Sequence, residues 1–273
     1  MKKIAVVGAG LVGSMLSEYL AKRGYIVEVY ERRSDLRNVE IVGGRSINLA
    51  LSTRGWKALD GIELEEKVRD IALPMKGRMM HAIDGELTFQ QYGKSDQAIY
   101  SVSRGLLNQI MLNAADENDH VAMFFDRKCL DVDLKTNTIK FEHTVTGEIE
   151  DRKFDHIFGT DGAFSAIRAR LQKTDRFNYS QFYLKHGYKE LTIPPNEAGS
   201  HKIDKGALHI WPRGEYMLIA LPNLDGSFTV TLFFPFEGPV SFSSLTDDEK
   251  VIEFFNDQFP DALELMPELV QDW

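Results

Sequence analysis

The chain opens with an apolar run, Ile4 to Val7, that stops at a cluster of glycines. Helical spacing of apolar residues follows from Leu16 to Ala21 and closes at Gly24. Ile26-Val27-Glu28-Val29-Tyr30 is rich in β-branched and aromatic residues and ends at Glu31. Strand, turn, helix and strand joined so closely predict a βαβ unit with two parallel strands. From Arg32 to Arg45 the chain is polar, with Gly43-Gly44 near its end. A connection that long is a candidate functional segment.

Further along, Arg104 to Ala115 reads as a helix, Val121 to Phe125 as a strand, and Lys128 to His143 as a hairpin turning near Lys135 to Asn137. Phe154 to Phe158 reads as a buried strand that ends at Gly159-Thr160-Asp161-Gly162 and feeds a helix through Leu171. Gly206 to Trp211, Tyr216 to Leu221 and Phe228 to Phe234 recur at a spacing of about ten residues, the mark of an antiparallel sheet. A helix from Asp247 to Phe259 turns Val251, Phe254 and Phe255 to a core face. The expected fold class is α/β: a Rossmann-like nucleotide-binding domain over residues 1–175, with inserted segments near 75–100, and an antiparallel β-sheet lobe over 176–273.

Composition narrows the function. With 273 residues, 43% hydrophobic and 27% charged, the chain is an ordinary globular one. Its net charge of −9 disfavours a nucleic acid or an anionic membrane surface as partner. One cysteine, Cys129, excludes an internal disulfide and a Cys-rich metal site, and makes the cytoplasm the expected compartment. Cys129 itself reads as a small buried hydrophobe. The N-terminal apolar run is punctuated by Gly8, Gly10, Gly13 and Glu18, which suits a folded strand and helix better than a signal peptide. No run approaches the ~18 apolar residues of a membrane span.

Gly8-Ala9-Gly10-Leu11-Val12-Gly13 fits the dinucleotide fingerprint: glycines allow the tight turn, the approach of a pyrophosphate and close helix packing. The helix N-terminus stabilises the phosphate oxygens without a lysine. Glu31, ending the second strand, can accept both ribose hydroxyls of an adenosine. An NAD-dependent dehydrogenase would share these features. Scattered histidines, with no HExxH, nucleophile elbow or Walker lysine, argue against metal and serine catalysis.

Asp161-Gly162-Ala163-Phe164-Ser165-Ala166-Ile167-Arg168, which alone reads equally as a turn with Asp161 capping a helix, resembles the Asp-Gly fingerprint of the group A flavoprotein aromatic hydroxylases. Longer strings are similar to the kynurenine 3-monooxygenase family within that group. They are Gly44-Arg45-Ser46-Ile47-Asn48-Leu49-Ala50-Leu51-Ser52, Gly77-Arg78-Met79-Met80-His81 with Tyr92, Ser101-Val102-Ser103-Arg104, His186-Gly187-Tyr188-Lys189-Glu190-Leu191 and Leu208-His209-Ile210-Trp211-Pro212-Arg213. Together they span nearly the whole chain.

The resemblance implies a glutathione-reductase-like FAD-binding domain, bound FAD, and NADPH and O2 as co-substrates in the hydroxylation of L-kynurenine to 3-hydroxykynurenine. It implies cofactor contacts at Gly8, Gly10, Val12, Gly13, Glu31, Arg32, Ala50, Arg104, Leu130 and Asp161. It gives Arg78 and Tyr92 the substrate carboxylate, and Leu208, Ile219 and Phe233 the apolar wall of the substrate ring. A guanidinium fork and a phenol suit a carboxylate, although a surface ion pair and a core tyrosine are the plain readings of these two residues. The flavin carries the chemistry, so no catalytic acid, base or metal is expected. None of the 21 glycines is followed by aspartate. Family members carry a later Gly-Asp motif, so the resemblance leads one to expect a piece of a longer protein. A sister hydroxylase acting on another aromatic acid, and a flavin-binding module without turnover, stay open as alternatives.

Overall fold

A computed structural model describes residues 2–38, 48–94 and 96–273. In chain order the first elements are β1 (Lys3–Val7), α1 (Leu11–Ala21), β2 (Ile26–Tyr30), β3 (Asn48–Leu51), α2 (Thr53–Asp60), α3 (Glu65–Arg69), β4 (Ala72–Met75), β5 (Gly77–His81), β6 (Leu87–Gln91) and β7 (Ile99–Ser103). Next come α4 (Arg104–Asp116), β8 (Val121–Phe124), β9 (Arg127–Asp133), β10 (Thr138–His143), β11 (Ile149–Lys153), β12 (His156–Gly159) and α5 (Ala166–Leu171). The chain finishes with β13 (His186–Ile193), β14 (Ala207–Arg213), β15 (Tyr216–Pro222), β16 (Phe228–Pro235), α6 (Asp248–Gln258), α7 (Pro260–Leu265) and α8 (Leu269–Asp272). Contacts divide it into two compact units, one of residues 1–41, 58–68 and 105–181, the other of 42–57, 69–104 and 182–273.

The first unit is layered around a parallel sheet of order β12-β1-β2-β8. The βαβ expectation holds: Ile4 to Val7 pair in parallel register with Val27 to Tyr30. Alternate residues of these strands face opposite ways. Val6, Val27 and Val29 pack with Ala21, Leu112 and Ala115 of α1 and α4. Ala5, Val7 and Tyr30 pack instead with Val132, Ile139 and Phe141 of the antiparallel sheet β11-β10-β9. Tyr30 stacks on Phe141 at 4.1 Å between centroids. The strand expected over 154–158 is shifted, for β12 starts at His156. Before it, the Phe154 amide donates to the Asn137 carbonyl and the Asp155 amide to the Lys3 carbonyl, while the Phe154 ring is buried edge-on against Tyr30. Apolarity at residue 154 thus reports core packing at a crossover rather than strand pairing.

The second unit is built on a six-stranded sheet, β13-β16-β15-β14-β5-β6. The antiparallel pairing expected of the three recurring segments is realised in β14 to β16, and β13 adds to it antiparallel to β16. The sheet as a whole is mixed, because β5 joins β14 in parallel register. One face buries Trp211, Leu218, Leu232 and Phe234 against Val251, Phe254 and Phe255 of α6 and Ala262 of α7. Asp247 caps α6 by accepting from the Lys250 amide, so the helix begins where an N-cap residue directs it. A smaller antiparallel sheet, β3-β7-β4, completes the unit. Residues 39–47 lie outside the described residues, and with them most of the long polar connection after Arg32 and the Gly44 to Ile47 part of the motif leading to Asn48. Among the described residues no helix is long and apolar enough to cross a membrane.

Candidate functional site

The glycine turn between β1 and α1 separates three steric roles. Gly8 has φ +102°, and a Cβ there would stand 2.5 Å from the Thr160 carbonyl oxygen. A Cβ at Gly13 would stand 1.8 Å from the Gly8 carbonyl oxygen. Both positions are therefore required by the protein's own packing. At Gly10 a Cβ would meet nothing within 4 Å. Gly10 lies at the N-cap of α1, which has no side-chain cap and no acidic residue in its first turn. A helix N-terminus left in that state is suited to an anion, and the bare Gly10 backbone lets one approach.

Glu31, 6% exposed at the end of β2, accepts from the Ala9 amide at 3.0 Å and from the Arg33 amide and Nε at 3.0 and 3.2 Å. Its carboxylate is fixed beside the glycine turn. A cavity of about 390 Å³ opens there, lined among others by Gly8, Gly10, Glu31, Arg32, Leu130 and Asp161. Six of the ten expected cofactor residues thus share one cavity. Gly13 is buried behind the turn, and the Val12 side chain is exposed on α1. Ala50 on β3 and Arg104 at the start of α4 belong to the other unit and are exposed.

Asp161 has a structural task as well. Its carboxylate accepts from the Ser165 hydroxyl at 2.6 Å and the Ala166 amide at 2.7 Å, while Ser165, the N-cap of α5, accepts from the Arg168 amide. The N-cap of α5 is therefore Ser165 and not Asp161, whose carboxylate supports the first turn from outside the helix while the residue lines the cavity. Thr160 went unnoticed in the sequence: its hydroxyl bridges the Val7 and Gly8 carbonyls at 2.8 Å each, tying the turn after β12 to the glycine turn. Arg33, Arg127 and Lys128 also line the cavity without having been anticipated. Only the adjacency of Arg33 to Glu31 signalled any of them. Cys129 is half-buried in the same wall, where burial, followed by the Asp161 and Asp131 charges, pushes its thiol up to about 12.

In the second unit four of the five expected substrate residues, Arg78, Leu208, Ile219 and Phe233, share one face of the six-stranded sheet, and Tyr92 follows the end of β6. Arg78 is opposite Leu208 across the β5–β14 pairing, and opposite Gln90 across β5–β6. The Ile210–Ile219 and Ile219–Thr231 pairs carry the same face to β15 and β16, where Phe233 follows two residues after Thr231. This face is the reverse of the one covered by α6 and α7. The Tyr92 amide donates to the Lys76 carbonyl, extending the β5–β6 register, and the Arg78 guanidinium lies 5.3 Å from the centre of the Tyr92 ring. The Tyr92 hydroxyl is buried and has no hydrogen-bond partner among the described residues. A buried hydroxyl without a partner beside an exposed guanidinium has the chemistry to meet an anion.

FAD suits the first unit: a dinucleotide pyrophosphate fits the open Gly10 position at the α1 N-terminus, and a ribose fits the fixed Glu31 carboxylate. Comparison with known proteins agrees. A kynurenine 3-monooxygenase of Flavobacterium johnsoniae is 55% identical over 99% of this chain and 60% of its own length. Those of Myxococcus xanthus and Dictyostelium discoideum are 51% and 49% identical, with 58% of each covered. The chain therefore spans about 60% of the length of the curated relatives it matches. Among solved structures, 2-methyl-3-hydroxypyridine-5-carboxylic acid oxygenase superposes with a TM-score of 0.75 at 17% identity, covering 99% of this chain and 68% of that one. PqsL of P. aeruginosa in complex with 2-aminobenzoylacetate gives 0.69 at 18%, covering 97% and 70%. These two likenesses establish the shared fold. A family model described as FAD binding domain matches residues 1–183, the glycine turn, Glu31 and Asp161 included, and the chain belongs to that family.

Proposed function

We propose that this chain is the FAD-binding part and much of the substrate-binding part of a flavoprotein that hydroxylates L-kynurenine to 3-hydroxykynurenine with NADPH and O2. The observation that carries the reading is the single sheet face presenting Arg78, Leu208, Ile219 and Phe233 together, with Tyr92 beside Arg78. The relatives named kynurenine 3-monooxygenase support the substrate.

Bound FAD supplies the transfer of electrons from NADPH and the activation of O2. The residues of the chain bind and orient. Gly10 and the α1 N-terminus hold the pyrophosphate, Glu31 the ribose, and Asp161 fixes the turn that closes the cavity. Arg78 grips both oxygens of the amino-acid carboxylate, and the Tyr92 hydroxyl donates a further hydrogen bond to it. Leu208, Ile219 and Phe233 pack against the aromatic ring and exclude water from it. An aniline ring is already electron-rich, so the reading assigns no protein acid or base. A cytoplasmic setting belongs to the same reading, supported by the single cysteine.

The test is the rate at which NADPH reduces the protein-bound flavin with kynurenine, salicylate or 4-hydroxybenzoate added. Acceleration by kynurenine alone is expected. Acceleration only by a phenolic acid would transfer the reading to a sister hydroxylase, and bound flavin that no aromatic acid stimulates would leave a binding module.

A further inference from the structure

On the helix-covered side of the same sheet, a chain of short contacts joins three elements. His81 Nδ1 of β5 is 2.7 Å from Asp261 Oδ2 of α7, and His81 Nε2 is 2.8 Å from His209 Nδ1 of β14. His209 Nε2 is 2.8 Å from the backbone carbonyl oxygen of Asp204. His81 and His209 are 4% and 2% exposed, and the His81 ring stacks on Trp211 at 4.0 Å. Trp211 Nε1 donates to both Asp261 oxygens, at 3.0 and 2.8 Å.

Counting protons decides the charge. The Asp204 carbonyl can only accept, so His209 Nε2 carries a hydrogen. Asp261, already accepting from Trp211, serves as a carboxylate, so His81 Nδ1 carries one too. The contact between the rings needs a third. Two neutral imidazoles hold two such hydrogens, and the network needs three. We propose that His81, His209 and Asp261 share one trapped proton, an imidazolium balanced by the Asp261 carboxylate, and that this triad positions the β5–β6 hairpin bearing Arg78 and Tyr92 against the ring-packing strand β14. The proton count stands by itself; the positioning consequence rests on the reading of Arg78 above.

Burial, together with the charge on His81, pushes His209 down to about 4. Burial raises Asp261, but the hydrogen bonds from His81 and Trp211 outweigh it and hold the carboxyl below the usual range. Among the described residues, Arg213 and Asp204 also act on the network. Arg213 Nη1 donates to the His81 carbonyl at 3.0 Å, and Asp204 acts on His209 through its backbone and its charge. The triad lies across the β5–β14 pairing, where the hairpin meets the antiparallel part of the sheet.

The test is nitrogen-15 NMR of the histidine-labelled chain at pH 7.5, comparing the parent with Asp261→Asn. An asparagine amide can donate to a bare His81 Nδ1 while its oxygen accepts from Trp211, so the variant keeps a full set of hydrogen bonds with neutral rings. The parent is expected to show three ring N–H signals from the two buried histidines and the variant two. As pH rises, the third signal and the backbone amide shifts of Arg78 and Leu208 should change with one midpoint in the parent and show no such titration in the variant. Two signals in the parent, or three in the variant, overturns the trapped proton. Loss of the third signal with Arg78 and Leu208 unmoved overturns the positioning role and leaves the carboxylate-binding reading of Arg78 intact.

Discussion

Gly13 rests against Gly8 so closely that a Cβ at Gly13 would lie 1.8 Å from the Gly8 carbonyl oxygen and 2.7 Å from Thr160 Oγ1. Gly13→Ala must therefore displace α1 from β1, an overpacking cost of about 1–3 kcal/mol, and weaken FAD binding with it. Gly10→Ala meets nothing within 4 Å among the described residues, so its melting temperature should stay at the parental value while FAD affinity alone falls. Thermal unfolding without added flavin, paired with flavin-fluorescence quenching, separates the two. Equal melting temperatures for both variants would contradict the division of roles.

Glu31 gives a second separable effect. In Glu31→Gln the buried side chain loses its charge and can no longer accept at both ends from Ala9 and Arg33. Charge-assisted hydrogen bonds are stronger than neutral ones, so FAD affinity should fall by about 1.5–3 kcal/mol. Flavin titration by fluorescence measures this, and an unchanged dissociation constant would remove Glu31 from the ribose site.

These two sites were legible in the sequence because their constraints are local: Gly8 to Gly13 and Ile26 to Glu31 declare a turn, a helix and a strand within one βαβ unit. The same holds for β14 and for the apolar face of α6, where the period marks the buried residues. Thr160 could not be read this way, since its task is to bridge two carbonyls more than 150 positions away. The parallel joining of β5 to β14 was equally hidden, because register between distant strands is decided by tertiary packing. His81, His209 and Asp261 belong to three separate elements, and no spacing along the chain relates them. Phe154 misled for the opposite reason: an apolar residue before a strand looks like its first member when it is core packing at a turn.

Arg78 and Tyr92 should respond differently to substitution. Arg78→Met removes a fork from an exposed position, so kynurenine binding should weaken by about 1.5–3 kcal/mol while FAD binding and fold are spared. Tyr92→Phe deletes a buried hydroxyl that has no partner among the described residues, so the chain should be as stable as the parent or slightly more so. Kynurenine affinity should nevertheless drop. Calorimetry of kynurenine binding, read beside the melting temperature, checks both, and a destabilised Tyr92→Phe would mean that the hydroxyl serves the fold.

Cys129 offers a probe of the cavity that needs no turnover. Burial and the carboxylates of Asp161 and Asp131 push its thiol up to about 12, against about 8.5 for a thiol in an unfolded chain. Between these values the unfolded chain has lost the proton and the folded chain keeps it. The folded state thus binds more protons, and this group's contribution to stability is intact below about 8.5 and declines as pH rises toward 12. Because the thiolate is the reactive form, alkylation by iodoacetamide at pH 8.5 should be at least about tenfold slower in the native chain than in urea. Asp161→Asn, which removes one of the two opposing charges, should speed the native reaction. FAD should slow it in both proteins, since Cys129 and Asp161 line the cavity assigned to the cofactor. Native alkylation that is indifferent to saturating FAD would place the cofactor elsewhere.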